Sequence, residues 1–321
     1  MYSLVCQRGF RTFAIGAMLF VIMGMLVSCG GASSSAGEGN GKEVKERPRA
    51  SELIAENNGI EPISLQFGIY TSDQPKAMVE QFRPILDAIQ KSMSESLQRP
   101  VTISTQVFST YEDGMGAVVD GIVDFSRFGP ASYIIVKDER PEVSLLGVEQ
   151  NNGGRIFYGV ICTHSDSSLE TCQDIVGHSF AFGDDKSTIG RYLSQEFLLD
   201  CGITASDLSS YEYLHRHDRV GDAVARKEYD AGALKESTFQ KMVDSGSPLR
   251  ELARFPNVTK PWVAKADLDP VIKASLRQAL LEMDDEAALK ALKKSGFEAG
   301  SDEDYDSIRQ AINRSGEFFQ K

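Results

Sequence analysis

From residue 61 onward the chain predicts an α/β protein of two lobes with a helical tail, and three observations carry this. Strand-like and helix-like patterns alternate, which implies parallel strands joined by right-handed crossovers. They do so in two series of similar size, without an internal repeat. Beyond Arg254 the patterns become mostly helical. At 321 residues there is room for both lobes.

In the first series, Ile63 to Ile69 reads as a strand. Ser72 and Asp73 then precede a helix with Val79, Phe82, Ile85, Leu86, Ile89, Met93 and Leu97 on one stripe. Val101 to Val107 is β-branched and alternating, a short helix follows around Met115 to Val119, and Val123 to Arg127 is again a strand. The second series opens with the strand Phe157 to Thr163. Its units are His178–Phe182 with Ser187–Asp200, Tyr211–Leu214 with Arg219–Arg226, and Ala231–Leu234 with Glu236–Val243. The tail reads as Pro270–Met283, Ala287–Lys294 and Asp302–Phe319.

The first 60 residues stand apart from this pattern. Arg8 and Arg11 precede an apolar stretch, Phe13 to Val27, which is shorter than a comfortable membrane span. It ends in Leu26-Val27-Ser28-Cys29-Gly30, which resembles the bacterial lipobox. Residues 1–28 are therefore expected to be a lipoprotein signal peptide, with Cys29 lipidated. A Gly/Ser-rich and then charged run, GASSSAGEGNGKEVKERPR, makes residues 29–60 a flexible tether.

A net charge of −12 argues against non-specific nucleic-acid binding, which needs a basic surface. It leaves room for a small anion, because a local cluster of donors outweighs a distant acidic surface at physiological salt. With Cys6 removed and Cys29 carrying lipid, Cys162, Cys172 and Cys201 remain, permitting one disulfide outside the cytoplasm without fixing the pair.

GDDKSTIGRYL, Gly183 to Leu193, directly follows the apolar run SFAF. Ser187 and Thr188 at a helix start serve as caps without any further function. The same geometry makes an anion site, where free N–H groups and the positive end of the macrodipole converge. Position favours the site, since ligands of open parallel sheets lie beyond the carboxyl ends of the strands. Those ends carry Asp185-Lys186-Ser187-Thr188, His215-Arg216-His217-Asp218 and Lys235-Glu236-Ser237 in the second series. In the first they carry Tyr70-Thr71-Ser72, Ser109-Thr110-Tyr111 and Gly129-Pro130.

Four stretches, taken in order, carry a resemblance. They are FGIYTSD, then Thr110-Tyr111 with AVVDGIVDFSRFGPASYI, then FYGVICTHSDSSLETCQDIVGHSFAFGDDKSTIG, and HRHDRVGDAVARKEYDAGAL. The chain resembles the phosphate/phosphite/phosphonate-binding lipoproteins of ABC importers, a branch of the type II periplasmic binding proteins. The resemblance implies a two-lobed fold in which each lobe is a mixed, mostly parallel sheet flanked by helices. It also implies that the chain crosses twice between the lobes, giving lobe 1 residues 61–162 plus 255–321 and lobe 2 residues 163–254.

What the resemblance implies for the site is a phosphorus oxyanion held in the cleft between the lobes. Ser187, Thr188 and Gly190 would form the helix start, His217 would donate from the next βα unit, and Tyr111 and Tyr158 would close the pocket. Two acidic positions that hold the ligand amine in aminophosphonate binders fall at Glu236 or Ser237 and at Lys260. The lysine disfavours a cationic tail and points to phosphate, phosphite or a simple phosphonate. The expected partners are that small anion and an ABC permease, for a lipid-anchored monomer outside the cytoplasm that needs no cofactor.

Rival readings are a lipoprotein that senses the ligand for a membrane kinase, and a hydrolase using Ser187, His217 and Asp218. No GxSxG elbow is present, and a serine that opens a helix as an anion donor is poorly placed as a nucleophile. His215 and His217 lack a third neighbour that would make a metal site.

Overall fold

The computed structural model describes residues 61–152 and 154–320; the expected signal peptide, Cys29 and the whole tether lie outside them. Strand β1 (Ile63–Tyr70) alternates buried and exposed residues and then becomes wholly buried. Helix α1 (Pro75–Leu97) starts on a proline, whose missing N–H costs nothing in the first turn. Its buried face is Met78, Phe82, Ile85, Leu86, Ile89 and Met93. Val79, expected on that stripe, is 37% exposed, because at 100° per residue it falls on the flank of the face that Met78 occupies.

Next come β2 (Val101–Phe108), α2 (Tyr111–Val119), β3 (Phe125–Arg127), α3 (Pro130–Glu139) and β4 (Ser144–Gln150). Both β2 and β3 run parallel to β1. Thr110 caps α2, its hydroxyl accepting from the Asp113 N–H at 3.0 Å.

After β4 the chain passes to a second sheet, made of β5 (Ile156–His164), β6 (Ser179–Phe182), β7 (Ser210–Tyr213), β8 (Ala231–Lys235) and β9 (Leu249–Val258). Between these strands lie a wide helical turn (Thr188–Tyr192) continuing into α4 (Leu193–Asp200), then α5 (His217–Ala225) and α6 (Glu236–Asp244). Strand β6 is parallel to β7 and β8, as the alternation predicts. Strand β5 instead runs antiparallel to β8 and β9, so the sheet is mixed. The stretch around Leu252 belongs to the ten-residue strand β9.

The chain then returns to the first sheet with β10 (Pro261–Ala264), α7 (Pro270–Leu281), α8 (Glu286–Leu292) and β11 (Gly296–Glu298). Strand β10 inserts antiparallel between β3 and β4, giving the order β11-β4-β10-β3-β1-β2. Trp262 on β10 is fully buried and stacks on Phe67 at 5.2 Å. The last helix, α9 (Asp306–Arg314), and the turn Glu317–Phe319 pack Ile308, Ala311 and Phe318 among side chains of the second sheet's layer. The two crossings between sheets are tied together, since the Thr259 N–H donates to the Arg155 carbonyl at 2.8 Å. Cys172 and Cys201 form a disulfide, and Cys162 is a buried thiol within β5.

One buried ion cluster locks the first sheet beside the second crossing. The Glu149 carboxylate, with no exposed surface, accepts from Arg127 Nε at 2.6 Å, Arg127 Nη2 at 2.8 Å and Trp262 Nε1 at 3.1 Å. Lys294 Nζ stands 3.6 Å away. Burial opposes ionisation of Glu149, but Arg127 and Lys294 more than offset it and hold the group down at about 2. A depressed carboxylate stabilises the fold above its ordinary pKa, and that contribution disappears as pH falls from about 4.5 to about 2. Glu149→Gln strands two buried cations and is expected to lower stability by about 3–5 kcal/mol near neutral pH. Denaturant titrations of both proteins should show the gap closing as the solution is acidified towards pH 2.

Candidate functional site

Two glycines make the helix start possible. The Gly183 N–H at the end of β6 donates to the Gly190 carbonyl at 2.8 Å, folding the Asp184–Ile189 loop back on itself. A Cβ on Gly190 would lie 2.7 Å from the Gly183 Cα, so backbone meets backbone with no space for a side chain. Ser187 is the cap, in extended backbone, and its hydroxyl accepts from the Gly190 N–H at 3.0 Å. Its carbonyl takes both the Arg191 and Tyr192 N–H groups. The N–H groups of Thr188 and Ile189 are the first of the helix and have no intrahelical acceptor. Capping and anion binding are thus compatible: the Ser187 hydroxyl serves the cap while the first amides stay free. Thr188 Oγ1 reaches across to the first sheet's layer and accepts from the Ala131 N–H, at the start of α3, at 2.8 Å.

These amides border a void of about 20 Å³ that is also lined by Tyr111, Gly129, His217, Asn257 and Lys260. His217, the first residue of α5, is 5% exposed, and its Nδ1 has no hydrogen-bond partner. Asn257 on β9 is 3% exposed, and neither Oδ1 nor Nδ2 of its amide is bonded. Buried side-chain polar atoms are mostly paired, so three orphans on the lining of one void are a strong departure from the rule. Burial pushes the His217 imidazole down to about 3, with Asp73 opposing and Lys235 assisting, so the ring is neutral. Lys260, on the second crossing, is held well below its usual range by burial and by Arg127 and Lys235. The Tyr111 hydroxyl is pushed well up by burial; its ring stacks on Tyr70 at 4.0 Å. Tyr70 in turn accepts from the Gly129 N–H at 2.7 Å.

Lys235 and Lys260 also line a neighbouring cavity of about 200 Å³, together with Arg127, Lys294 and Glu236. Of the residues expected at the site, the structure therefore gathers Tyr111, Ser187, Thr188, His217 and Lys260 around the inner void. Gly190 supports it from behind. Glu236 lines the outer cavity, where Arg254 Nη1 donates to its carboxylate at 3.0 Å. Tyr158 lies outside the inner void with the Arg254 guanidinium 5.5 Å over its ring, and Phe157 lines the void instead. Successive strand residues face opposite sides, so the neighbouring positions go to different surroundings.

One lining residue, Asn257, went unrecognised in the sequence, and Lys235 was placed at a strand end facing the site without a role of its own. Asn257 gives one signal, a polar amide within the apolar context FPNV shortly before Lys260. Lys235 Nζ pairs with Asp73 at 2.5 Å, and Thr238 donates to the same carboxylate at 2.9 Å. Asp73, which precedes α1 in the sequence, is thus spent on a bridge between the layers.

The hydrolase geometry is missing. Asp218 is bound by Arg216, at 2.9 and 2.6 Å, while Ser187 Oγ serves the helix cap. His217 Nδ1, the atom a relay aspartate would hold, is unbonded. What the arrangement can do is hold a polar guest. Free amides, a neutral imidazole, a carboxamide and an ammonium converge on one point.

Two mixed sheets flanked by helices, with a polar site between them, define the type II periplasmic-binding-protein fold. The same fold is seen in PhnD1 from Prochlorococcus marinus (MIT 9301), solved in complex with methylphosphonate. That protein is 19% identical, with a TM-score of 0.68 over 79% of this chain and 98% of that one. The binding-protein component of an ABC phosphonate transporter from Pseudomonas aeruginosa is 18% identical, with a TM-score of 0.70 over 80% and 87% of the two chains.

The chain belongs to the family of phosphonate-binding periplasmic substrate-binding proteins of ABC transporters, whose pattern matches residues 67–305. Among curated proteins it is 23% identical over 240 residues to the phosphate-import protein PhnD of Mycolicibacterium smegmatis, covering 65% of this chain and 74% of that one. It is accordingly a transport protein acting outside the cytoplasm, not an enzyme.

Gly190→Ala should separate the strand end from the helix start and turn the free amides away. We expect a stability loss of roughly 1–3 kcal/mol, as for overpacking elsewhere. Thermal denaturation checks the first effect, and calorimetric titration with methylphosphonate should show weakened binding.

Proposed function

We propose that this protein captures a phosphorus oxyanion, namely phosphate, phosphite or a simple phosphonate, in the inner void and presents it to an ABC permease. The observation that carries the proposal is that two residues lining that void hold unbonded polar atoms: His217 Nδ1 and both ends of the Asn257 amide. A tetrahedral oxyanion supplies acceptors for the helix amides, for the imidazole N–H and for Nδ2. A protonated phosphoryl oxygen supplies the donor that Asn257 Oδ1 lacks. Charge-assisted hydrogen bonds contribute about 1.5–3 kcal/mol each, and a helix terminus adds about 0.3–1. Four or five such contacts reach roughly micromolar affinity after the cost of association.

Support for the ligand class comes from the family, from the methylphosphonate complex of PhnD1 and from the phosphate-import role of the mycobacterial relative. Lys235 and Lys260 beside the void disfavour a cationic ligand tail. We further propose that the two layers are lobes that close over the ligand, bending where residues 151–155 and 259–260 cross between them. Lipidation of Cys29 would tether the protein to the membrane beside its permease, as a monomer.

Asn257→Leu separates a binding role from a structural one. Replacing two orphaned polar atoms by apolar ones removes a burial cost, so the variant should be as stable as the parent or more so. Its affinity for methylphosphonate should nevertheless fall by about 100-fold, the worth of two hydrogen bonds to a charged group. Calorimetric titration and thermal denaturation read both effects. Unchanged affinity, or a destabilised fold, contradicts the assignment.

A further inference from the structure

We propose that the preferred ligand is a phosphonocarboxylate, with its phosphonyl head in the inner void and its carboxylate in the adjoining cationic cavity. This rests on the oxyanion reading above and assigns what its outer cavity is for. The void, at about 20 Å³, is the smaller of two adjoining spaces, and the cavity beside it, sharing Phe157, Lys235 and Lys260, measures about 200 Å³. A bare phosphate or phosphite leaves that larger space to solvent.

Charge decides what belongs there. Arg127, Lys235, Lys260, Lys293 and Lys294 line the outer cavity in a chain whose total charge is −12. Their carboxylate partners are few: Asp73 answers Lys235, and Glu149 is shared between Arg127 and Lys294. Glu236 also lines the cavity, and it shares Arg254 with Glu251, which takes the other side of the guanidinium, so its charge counts against the lysines. Lys260 and Lys293 have no carboxylate within ion-pair distance among the described residues. Two positive charges are thus left over once Asp73, Glu149 and Glu236 are counted. A phosphonyl head that keeps one proton for Asn257 Oδ1 is monoanionic and answers one of them, and one remains for the tail. A monoanionic carboxylate matches that remainder, a second phosphoryl dianion exceeds it, and an ammonium tail adds to the repulsion.

The lining is also suited to a carboxylate in kind. Lysine ammonium groups donate to carboxylate oxygens, and the Asn151 amide, which accepts from Lys294 Nζ at 2.6 Å, fixes one of the donors. Lys260 borders both spaces and so links head and tail. Burial depresses its ammonium, and a bound carboxylate relieves that cost.

The test is calorimetric titration of the protein with propylphosphonate, 3-phosphonopropionate and 2-aminoethylphosphonate, repeated with Lys260→Met. The phosphonocarboxylate should bind about tenfold or more tighter than propylphosphonate, the aminophosphonate should bind weaker than either, and Lys260→Met should bring the first ratio towards one. Equal affinities for propylphosphonate and 3-phosphonopropionate in the parent overturn the proposal, as does a preference for the amine; both leave the oxyanion site intact. Absence of binding by every phosphonate tested sinks the oxyanion reading itself, and this proposal with it. The parent protein's ratio is decisive even where the variant does not fold.

Discussion

Leaving a buried donor or acceptor without a partner costs about 1–3 kcal/mol, and this fold carries three such atoms on the lining of one small void. The surrounding structure makes that possible. Strand β6 and the helix start are locked together through Gly183 and Gly190, so the Thr188 and Ile189 amides are aimed by backbone contact and not by a flexible loop. His217 is fixed from the opposite side, where its own N–H donates to the Ser72 carbonyl of the first layer. Asn257 stands near the end of β9, three residues before the crossing at Lys260. Each group comes from a different element, and none can turn away to satisfy itself elsewhere. Preorganisation of this kind transfers the cost of ordering from the binding event to folding.

The electrostatics follow the same division between structure and site. Glu149 neutralises part of the charge on Arg127 and Lys294 and thereby anchors β4 to β3 and β10. Asp73 does the same for Lys235 across the layers. Among the described residues these two carboxylates leave Lys260, at the second crossing, and Lys293, at the end of α8, without an acidic partner. On the proposed closure, an anion entering between the layers would be attracted to the segment about which they bend, and occupancy would be coupled to closing. The strongly acidic total therefore says little about the local field, because the cations are gathered in one place and paired sparingly.

Much of this was legible in the residues. Alternating segments such as Ile63–Tyr70 and the stripe from Phe82 to Met93 predict their own elements, since one face of each is buried and the other is not. The interrupted run SFAFGDDKSTIG marks a strand end and a helix start because polar residues and a glycine cannot continue either. Helix α3 and strands β4, β10 and β11 escaped notice for the opposite reason. Pro261–Ala264 is buried at all four positions and α3 is buried almost throughout, so neither shows the periodicity that distinguishes strand from helix. Phe157 and Tyr158 show a different limit: a strand tells which residues alternate but not which phase faces the void. Asn257 was illegible as a site residue because its significance lies in bonds it does not make, which only three-dimensional packing displays. Pairing of Cys172 with Cys201 likewise depends on which loops the fold brings together.

A crystal structure grown with methylphosphonate tests the central claim most directly. Phosphonyl oxygens are expected within about 3 Å of the Thr188 and Ile189 nitrogens, of His217 Nδ1 and of the Asn257 amide. Density for the ligand anywhere else in the cleft, with those four groups still unbonded or satisfied by protein atoms, would contradict it.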